Sequence, residues 1–125
     1  MRHLRNRSKL SKPTDQRLAL IRNQVSDLFA HGHLNTTLPR AKAVQSMAEK
    51  LITRAKRGSL ADIRQCAKHL PGKPPLKNLL HKVAPSLSEI SSGFTQIAKL
   101  KYRRGDGSLI VRLLLRNYPA AEAAK

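Results

Sequence analysis

Lysine and arginine are the residues of this sequence whose type and spacing could do chemistry, because they gather in three short segments. Five of them lie within residues 1–12, and further clusters occupy residues 40–42 and 99–104. Clustered cations bind phosphate oxygens through charge and charge-assisted hydrogen bonds. The chain has 25 Lys and Arg against 7 Asp and Glu, a net charge of +18 over 125 residues. Such a surplus favours a polyanionic partner, either nucleic acid or an anionic membrane.

The other reactive side chains do not form a pattern that is typical of a catalytic or metal site. The carboxylates are scattered singly, at Asp15, Asp27, Glu49, Asp62, Glu89, Asp106 and Glu122. General acid–base catalysis and hard-metal binding both favour clustered carboxylates. His31 and His33 lack the further ligands of a structural zinc site, and one cysteine, Cys66, cannot form an internal disulfide. We therefore predict no enzyme activity, no catalytic residues, no metal, no cofactor and no small-molecule substrate.

Size and hydrophobicity indicate a folded domain rather than a basic tail. Hydrophobic residues make up 40% of the chain, enough for one core at this length. No apolar run approaches the roughly 20 residues of a membrane span, so we expect no membrane partner. The pattern predicts a basic arm over 1–12, one α+β domain over 13–118 and a flexible tail over 119–125.

Two long amphipathic helices are predicted first. One begins at the helix-start signal of residues 13–15, with a threonine as N-cap candidate, and ends at Gly32. Its expected buried stripe is Leu18, Ile21, Val25, Leu28 and Phe29. The other begins at Pro39 and ends at Gly58. Its expected buried stripe is Val44, Met47, Ala48, Leu51, Ile52 and Ala55.

Two shorter helices and three strands follow from the same kind of pattern. Ser59 and Asp62 cap a third helix, whose inward residues are expected to be Leu60, Ile63 and Ala67. After a breaker over 71–75, a fourth helix stops before a proline and packs Leu76, Leu79, Leu80 and Val83. Residues 33–37 are a plausible strand, and the period changes to two from residue 94, which predicts a hairpin with a turn over 104–107 and a returning strand over 109–115. Alternation places Lys99 and Lys101 on one face of the hairpin.

Several strings of residues, in the right order and spacing, resemble one known family. They are Met1-Arg2-His3, Arg22-Asn23, His31, the string TTLPRAK over 36–42, EKLITRAK over 49–56, SGFTQI over 92–97 and RRGD over 103–106. The chain resembles the bacterial-type large-subunit ribosomal protein seventeen family over roughly residues 1–116. The TTLPRAK string is the most specific of these matches.

The resemblance implies a fold, a function and partners. The implied fold is α+β: a small mixed three-stranded sheet, including the Thr36 region as a strand, packed against about four helices, with a basic extended N-terminal arm. The implied function is that of a structural constituent of the large ribosomal subunit, which packs rRNA on the solvent side near the polypeptide exit. The implied partners are large-subunit rRNA and neighbouring large-subunit proteins, and no homo-oligomer is expected.

The expected rRNA contacts combine the basic clusters with polar residues of the matching strings. They are Arg2, His3, Arg5, Arg7, Lys9, Lys12, Arg17, Arg22, Asn23, Thr36, Thr37, Arg40, Lys42, Lys99, Lys101, Arg103 and Arg104. Two other functions fit the charge: a nucleoid-type DNA-binding protein and an enzyme acting on RNA. The first lacks a recognisable DNA-binding motif and the second lacks a two-metal carboxylate site. A chain that opens at Met1 without a targeting extension is expected in the cytoplasmic ribosome of a bacterium or in a bacterial-type organelle.

Overall fold

The order of helices and strands is that of an α+β protein in a computed structural model that describes residue 3 and residues 8–118. The elements are α1 Thr14–His31, β1 His33–Thr37, α2 Leu38–Arg57, α3 Leu60–His69, α4 Lys73–Asn78, a π-helical turn Leu79–Val83, α5 Ala84–Ser86, β2 Thr95–Tyr102 and β3 Leu109–Leu115. Because α4, the π-helical turn and α5 are continuous, they correspond to the one predicted fourth helix. The predicted fold class is confirmed. Most of the predicted arm (residues 1, 2 and 4–7) and the predicted tail over 119–125 lie outside the described residues.

The first two helices form where the sequence predicts them. Gly32 and Gly58 follow them with φ of +79° and +71°, the left-handed conformation that ends many helices. The predicted stripe of α2 is buried, apart from the half-buried Met47. In α1 the prediction was wrong for Leu18, which is 38% exposed because the first turns of α1 extend beyond the core. No side chain caps the N-terminus of α1, where Pro13 occupies the N-cap position.

The third helix has the predicted cap but presents a different face to the core. The Ser59 hydroxyl accepts a hydrogen bond from the Asp62 N–H at 3.2 Å. Leu60 is 63% exposed and Ala67 is exposed as well, so the prediction was wrong for these two residues, while Ile63 is half-buried. The buried face carries Cys66, whose thiol donates to the carbonyl of Leu51 in α2 at 3.6 Å. The side of α3 that contains Cys66 therefore faces α2.

The fourth helical region is longer than predicted at both ends. It begins at Lys73, with prolines in its first turn, where a missing N–H costs nothing. It then continues through Pro85 to Ser86 instead of stopping before that proline. In a regular α-helix the proline ring would collide with the carbonyl of His81. The π-helical turn Leu79–Val83 widens the helix immediately before Pro85, which permits the helix to continue.

The sheet has the order β1-β3-β2, and both neighbouring pairs are antiparallel. The expectation of a mixed sheet was therefore wrong: β1 and β2 run in the same direction, but β3 lies between them. The register of β2 against β3 shifts between Lys99 and Lys101, so that Leu100 is an extra residue. Because of this bulge, Lys99 and Lys101 lie on opposite faces, contrary to the prediction from simple alternation.

Helices cover one face of the sheet and enclose a hydrophobic cluster. The buried face of β3 carries Val111, Leu113 and Leu115. Phe29 of α1 and Leu51 of α2 contribute to the same cluster, and both are at most 2% exposed. Among the described residues, no helix has the length and apolar character needed to cross a membrane. The opposite face of the sheet, here called the outer face, carries a mixture of polar and apolar side chains, among them Arg112 and Leu114 of β3.

Candidate nucleic-acid interface

A groove of about 510 Å³ joins the end of the basic arm to the start of α2. Its lining residues are Ser8, Lys9, Leu10, Ser11, Thr37, Pro39 and Arg40. Helix α2 has no acidic residue in its first turn, and no side chain caps its N-terminus. The free N–H groups of a helix N-terminus attract anions, and here Lys9 and Arg40 add two full charges. The groove is therefore suited to a phosphate oxygen.

The strand register brings the third basic cluster to the same end of the sheet. Thr37 of β1 lies opposite Ile110 of β3, and Ile110 lies opposite Lys101 of β2. Directly opposed residues of antiparallel strands point to the same face, which here is the outer face. Two strand spacings separate Thr37 from Lys101, or about 10 Å between Cα atoms. The groove and the β2–β3 hairpin thus form one continuous surface, which we call the cationic end.

The tip of the hairpin is organised by one acidic residue. The Nε of Arg103 donates to Oδ1 of Asp106 at 3.1 Å, and the N–H of Ser108 donates to the same oxygen at 3.2 Å. The hydrogen bond from Arg103 is the largest of the effects that hold the pKa of the Asp106 carboxyl well below its usual range. The same hydrogen bond raises the pKa of Arg103. Arg104 and Lys101 are exposed beside this turn, so their charges face solvent.

The two predicted threonines have different environments. Thr36 lies on the inner face, is 8% exposed, and its hydroxyl accepts from Nε2 of Gln24 at 3.4 Å. Thr37 lines the groove at the N-terminus of α2. Of this pair, Thr37 is the one placed beside the cations of the cationic end.

The predicted residues of α1 and the arm are more dispersed. Arg17 donates through Nη1 to the carbonyl of Lys12 at 3.4 Å and through Nη2 to the hydroxyl of Thr14 at 3.3 Å, so it ties the arm to the helix. His3, Asn23, Lys42 and Lys99 are exposed, while Lys12 and Arg22 are half-buried. The contacts predicted at Arg2, Arg5 and Arg7 lie outside the described residues. The structure thus gathers Lys9, Thr37, Arg40, Lys101, Arg103 and Arg104, and leaves Arg22 and Asn23 apart on α1.

Arg112 of β3 was not among the residues predicted to contact rRNA. Its Nε donates to Oδ1 of Asn35 at 2.9 Å across the β1–β3 pair. Both residues lie on the outer face, in the row next to that of Thr37 and Lys101. Arg112 alternates with apolar residues along its strand, and a neighbouring strand carries an amide side chain. This combination is the sequence signal that could have identified Arg112. Finding its partner required the register of β1.

The side chains of Glu49, Asp62 and Cys66 serve the fold. Glu49 accepts from the hydroxyl of Thr95 at 2.8 Å, and Asp62 belongs to the α3 cap. Burial raises the pKa of the Cys66 thiol, which keeps it protonated and unreactive. In the described part of the chain, His, Cys, Asp and Glu do not assemble into any group of three that could hold a metal ion.

An α+β fold with cations gathered at one end of its sheet, and with carboxylates used for structure, is typical of structural proteins that bind a polyanion. Comparison with known proteins agrees. Residues 20–115 match the family model of Ribosomal protein L17. The large ribosomal subunit protein bL17 of Clostridium acetobutylicum is 48% identical over 107 residues, which are 86% of this chain and 94% of that protein. The bL17 proteins of Clostridium tetani and Clostridium beijerinckii are 45% and 48% identical, each over 86% of this chain and 95% of the relative.

The chain belongs to the ribosomal protein L17 family. The resemblance found in its TTLPRAK and neighbouring strings is thereby confirmed. The prediction that the protein is not an enzyme is confirmed as well, because its relatives are ribosomal proteins.

Proposed function

We propose that this protein is a structural component of the large ribosomal subunit, where it binds rRNA through the cationic end. The observation that supports the proposal is the meeting of three basic segments, distant in sequence, around the groove and the hairpin. Each segment alone could be a solvated surface. Together they form a surface long enough to contact several phosphates. Several phosphates are needed to neutralise a net charge of +18.

The mechanism is charge neutralisation that fixes the packing of RNA. Where RNA segments converge, their phosphates repel one another, and a rigid cationic surface between them lowers this repulsion. The sheet provides the rigidity, because Lys101 and Arg112 are held on paired strands. The basic arm over 1–12 would extend the contact beyond the domain over 13–118, and the tail over 119–125 would take no part. The protein acts as a monomer beside neighbouring large-subunit proteins.

The proposed location rests on family membership and not on the geometry. The similar proteins reported above are bacterial, which favours a bacterial cytoplasmic ribosome over that of a bacterial-type organelle. We place the protein on the solvent side of the subunit, near the polypeptide exit. Crosslinking in intact ribosomes and identifying the linked rRNA segments would test both points. Crosslinks confined to the subunit interface would contradict this placement.

The central test is the salt dependence of binding to large-subunit rRNA. Each neutralised phosphate releases counterions and contributes about 0.7–0.9 to the slope of log K against log salt. The three basic segments are expected to make on the order of six to ten such contacts. A slope of about one or two would show that shape or stacking dominates. A double-stranded DNA of equal length is the control, and equal affinity for both would favour a nucleoid-type protein instead.

A further inference from the structure

Tyr102, at the end of β2, is the most exposed large hydrophobic side chain among the described residues. It is 73% exposed, and Leu100, two residues earlier on the same strand, is 45% exposed. A single exposed hydrophobic residue is ordinary on a protein surface and does not by itself indicate a binding site. Two large ones on one short segment leave an apolar surface that the fold does not cover.

The strand register places Tyr102 on the inner face of the hairpin, past the edge of the core. Tyr102 lies opposite Leu109 of β3. One row earlier, Lys99 lies opposite Val111. Leu109 and Val111 are two residues apart on β3, so they and their partners point to the same face. The ring of Tyr102 therefore has a half-buried leucine beside it and a cation on its own face, while Lys101 lies on the outer face.

The charges around this ring are almost all positive. Residues 99–104 carry four cations, and the acid within residues 94–108 is Asp106, which is paired with Arg103. A protein that covered the ring with an apolar pocket would have to remove water from these cations without neutralising them. An RNA strand supplies both the phosphates that neutralise the cations and a base that covers the ring. Charge complementarity thus favours RNA as the partner of Tyr102.

The turn after Tyr102 holds the backbone of the ring in place. The N–H of Arg103 donates to the carbonyl of Ser108 at 2.7 Å, and the N–H of Gly107 donates to the carbonyl of Arg103 at 3.1 Å. A tyrosine side chain has two rotatable χ angles, so little conformational freedom is lost when the ring is covered. A ring on a fixed strand end is therefore preorganised for a stacking partner.

We propose that the ring of Tyr102 stacks on one unpaired base of the rRNA, while the cations of the hairpin bind the flanking phosphates. Aromatic rings stack on every type of base, because every base has a π-face. Bases inside a helix are already stacked on their neighbours, so this base belongs to a loop, a bulge or a strand end. The inference rests on the proposed rRNA-binding function and names the kind of RNA element that the hairpin contacts.

Binding to large-subunit rRNA, compared with binding to a fully paired RNA duplex, tests the proposal. Tyr102→Ala should weaken binding to the rRNA by about five- to hundredfold, the range expected for the loss of one stacked base. The slope of log K against log salt should stay unchanged, because no charge is removed. Binding to the duplex should be unaffected. Equal losses on both RNAs, or no loss on the rRNA, would overturn the proposal.

Two further substitutions separate stacking from hydrophobic contact and from folding. Tyr102→Phe keeps an aromatic ring and should bind rRNA like the native protein. Tyr102→Leu keeps a large apolar side chain without a π-face, so it should lose about as much affinity as Tyr102→Ala. Because Tyr102 is exposed, all three variants should melt at the native temperature without RNA. Native-like binding of Tyr102→Leu would refute stacking, and a clearly lower melting temperature for this variant would assign the ring to the fold instead.

Tyrosine fluorescence gives a direct readout, because the chain has two tyrosines and no tryptophan. The other tyrosine, Tyr118, packs its ring against Gly32, and its hydroxyl donates to the carbonyl of Ala30 at 2.8 Å. In Tyr118→Phe, the remaining signal comes from Tyr102 and should be quenched by a stacked base when rRNA is added. In Tyr102→Phe, the signal of Tyr118 should stay nearly constant, once both are corrected for absorption by the RNA. Equal quenching in the two variants would contradict the proposal.

The outcomes also separate this inference from the proposed function. If Lys101→Ala lowers the salt slope while Tyr102→Ala binds rRNA like the native protein, the proposed function stands and the stacking fails. If neither variant affects rRNA binding, the proposed function fails. If Tyr102→Ala binds isolated rRNA normally but assembles poorly into large subunits, the ring contacts a neighbouring protein, and the proposal is refuted.

Discussion

The two halves of the three-stranded sheet differ in what surrounds them. In one half, Leu113 and Leu115 of β3 are buried beneath the helices, beside the buried Thr95 of β2. In the other half, β2 leaves the core after Ala98, and every residue from Lys99 to Gly107 is exposed. The same pair of strands therefore stabilises the fold at one end and presents cations at the other. Mutations in the two halves should affect different properties.

The bulge at Leu100 marks the boundary between these halves. On the core side, the alternation of β2 matches that of β3, and Ile97 packs against the cluster. Beyond the bulge, Lys101 turns to the outer face, in line with Thr37. Without the extra residue Lys101 would point to the inner face, away from the groove. The irregularity thus places a cation where the other two basic segments are.

The largest expected effect comes from breaking the core half. Leu113→Ala removes a fully buried side chain and should lower the free energy of unfolding by about 2–5 kcal/mol, through lost transfer energy and a cavity. A domain of this kind has about 5–15 kcal/mol in total, and charge repulsion reduces it. Denaturant unfolding monitored by circular dichroism measures the loss. Because RNA binds the folded state, an rRNA fragment should restore part of the structure by mass action.

The neighbouring leucine is the matched control. Leu114 lies on the outer face of the same strand and is half-buried, so Leu114→Ala should cost far less than Leu113→Ala. Leu51→Ala, on the facing helix, should resemble Leu113→Ala. Similar losses for Leu113→Ala and Leu114→Ala would show that the two faces of the sheet are not distinguished as described.

Removing the arm should give the largest effect on binding. Deleting residues 1–7 takes away Arg2, Arg5 and Arg7 but leaves Lys9 and the groove. If each of the three cations contacts a phosphate, the salt slope should fall by about two to three. The helical circular-dichroism signal should be unchanged, since helix α1 begins at Thr14. A truncated protein that assembles into subunits as well as the full chain would show that the arm is only a solvated tail.

A single exposed cation should have a smaller effect of the same kind. Lys101→Ala should reduce the slope by about one and leave the melting temperature of the free protein unchanged or slightly higher. The reason is that Lys101 belongs to the exposed half and adds charge without packing. Isothermal titration with an rRNA fragment at several salt concentrations gives the slope. Were Lys101→Ala to unfold the protein, the hairpin would be part of the core after all.

The sequence predicted the elements better than their faces. The stripe of α2 was predictable because its apolar residues recur with a helical period over about three turns. In α3, Leu60 and Ala67 also fit the period, yet the side that is buried against α2 is the one that contains Cys66. Periodicity shows that a helix has an apolar side, but tertiary packing decides among neighbouring residues. The continuation of the fourth helix through Pro85 depended on a π-helical turn, for which the sequence contains no recognisable signal.

The basic segments were visible in the sequence, while their convergence was not. Composition identifies Lys9, Arg40 and Lys101 as members of three clusters. Their proximity depends on the strand order β1-β3-β2 and on the bulge at Leu100. Neither feature can be recognised from the composition or from the alternation of apolar residues.

The smallest expected effect concerns the acid at the hairpin tip. Asp106→Asn frees Arg103 from its ion pair and removes one negative charge from the exposed half, so RNA binding at neutral pH should become slightly tighter. Glu89→Gln is the control, since it changes the net charge equally but in the loop after α5.

The pKa of Asp106 is lowered in the folded state, so its contribution to stability is present above the unfolded pKa of about 4 and is lost as pH falls below it. Native protein and Asp106→Asn should therefore melt with a constant difference between pH 5 and 7, and this difference should change only in more acidic solution. A difference that changed between pH 5 and 7, or equal RNA affinities for Asp106→Asn and Glu89→Gln, would show that the ion pair does not restrain Arg103.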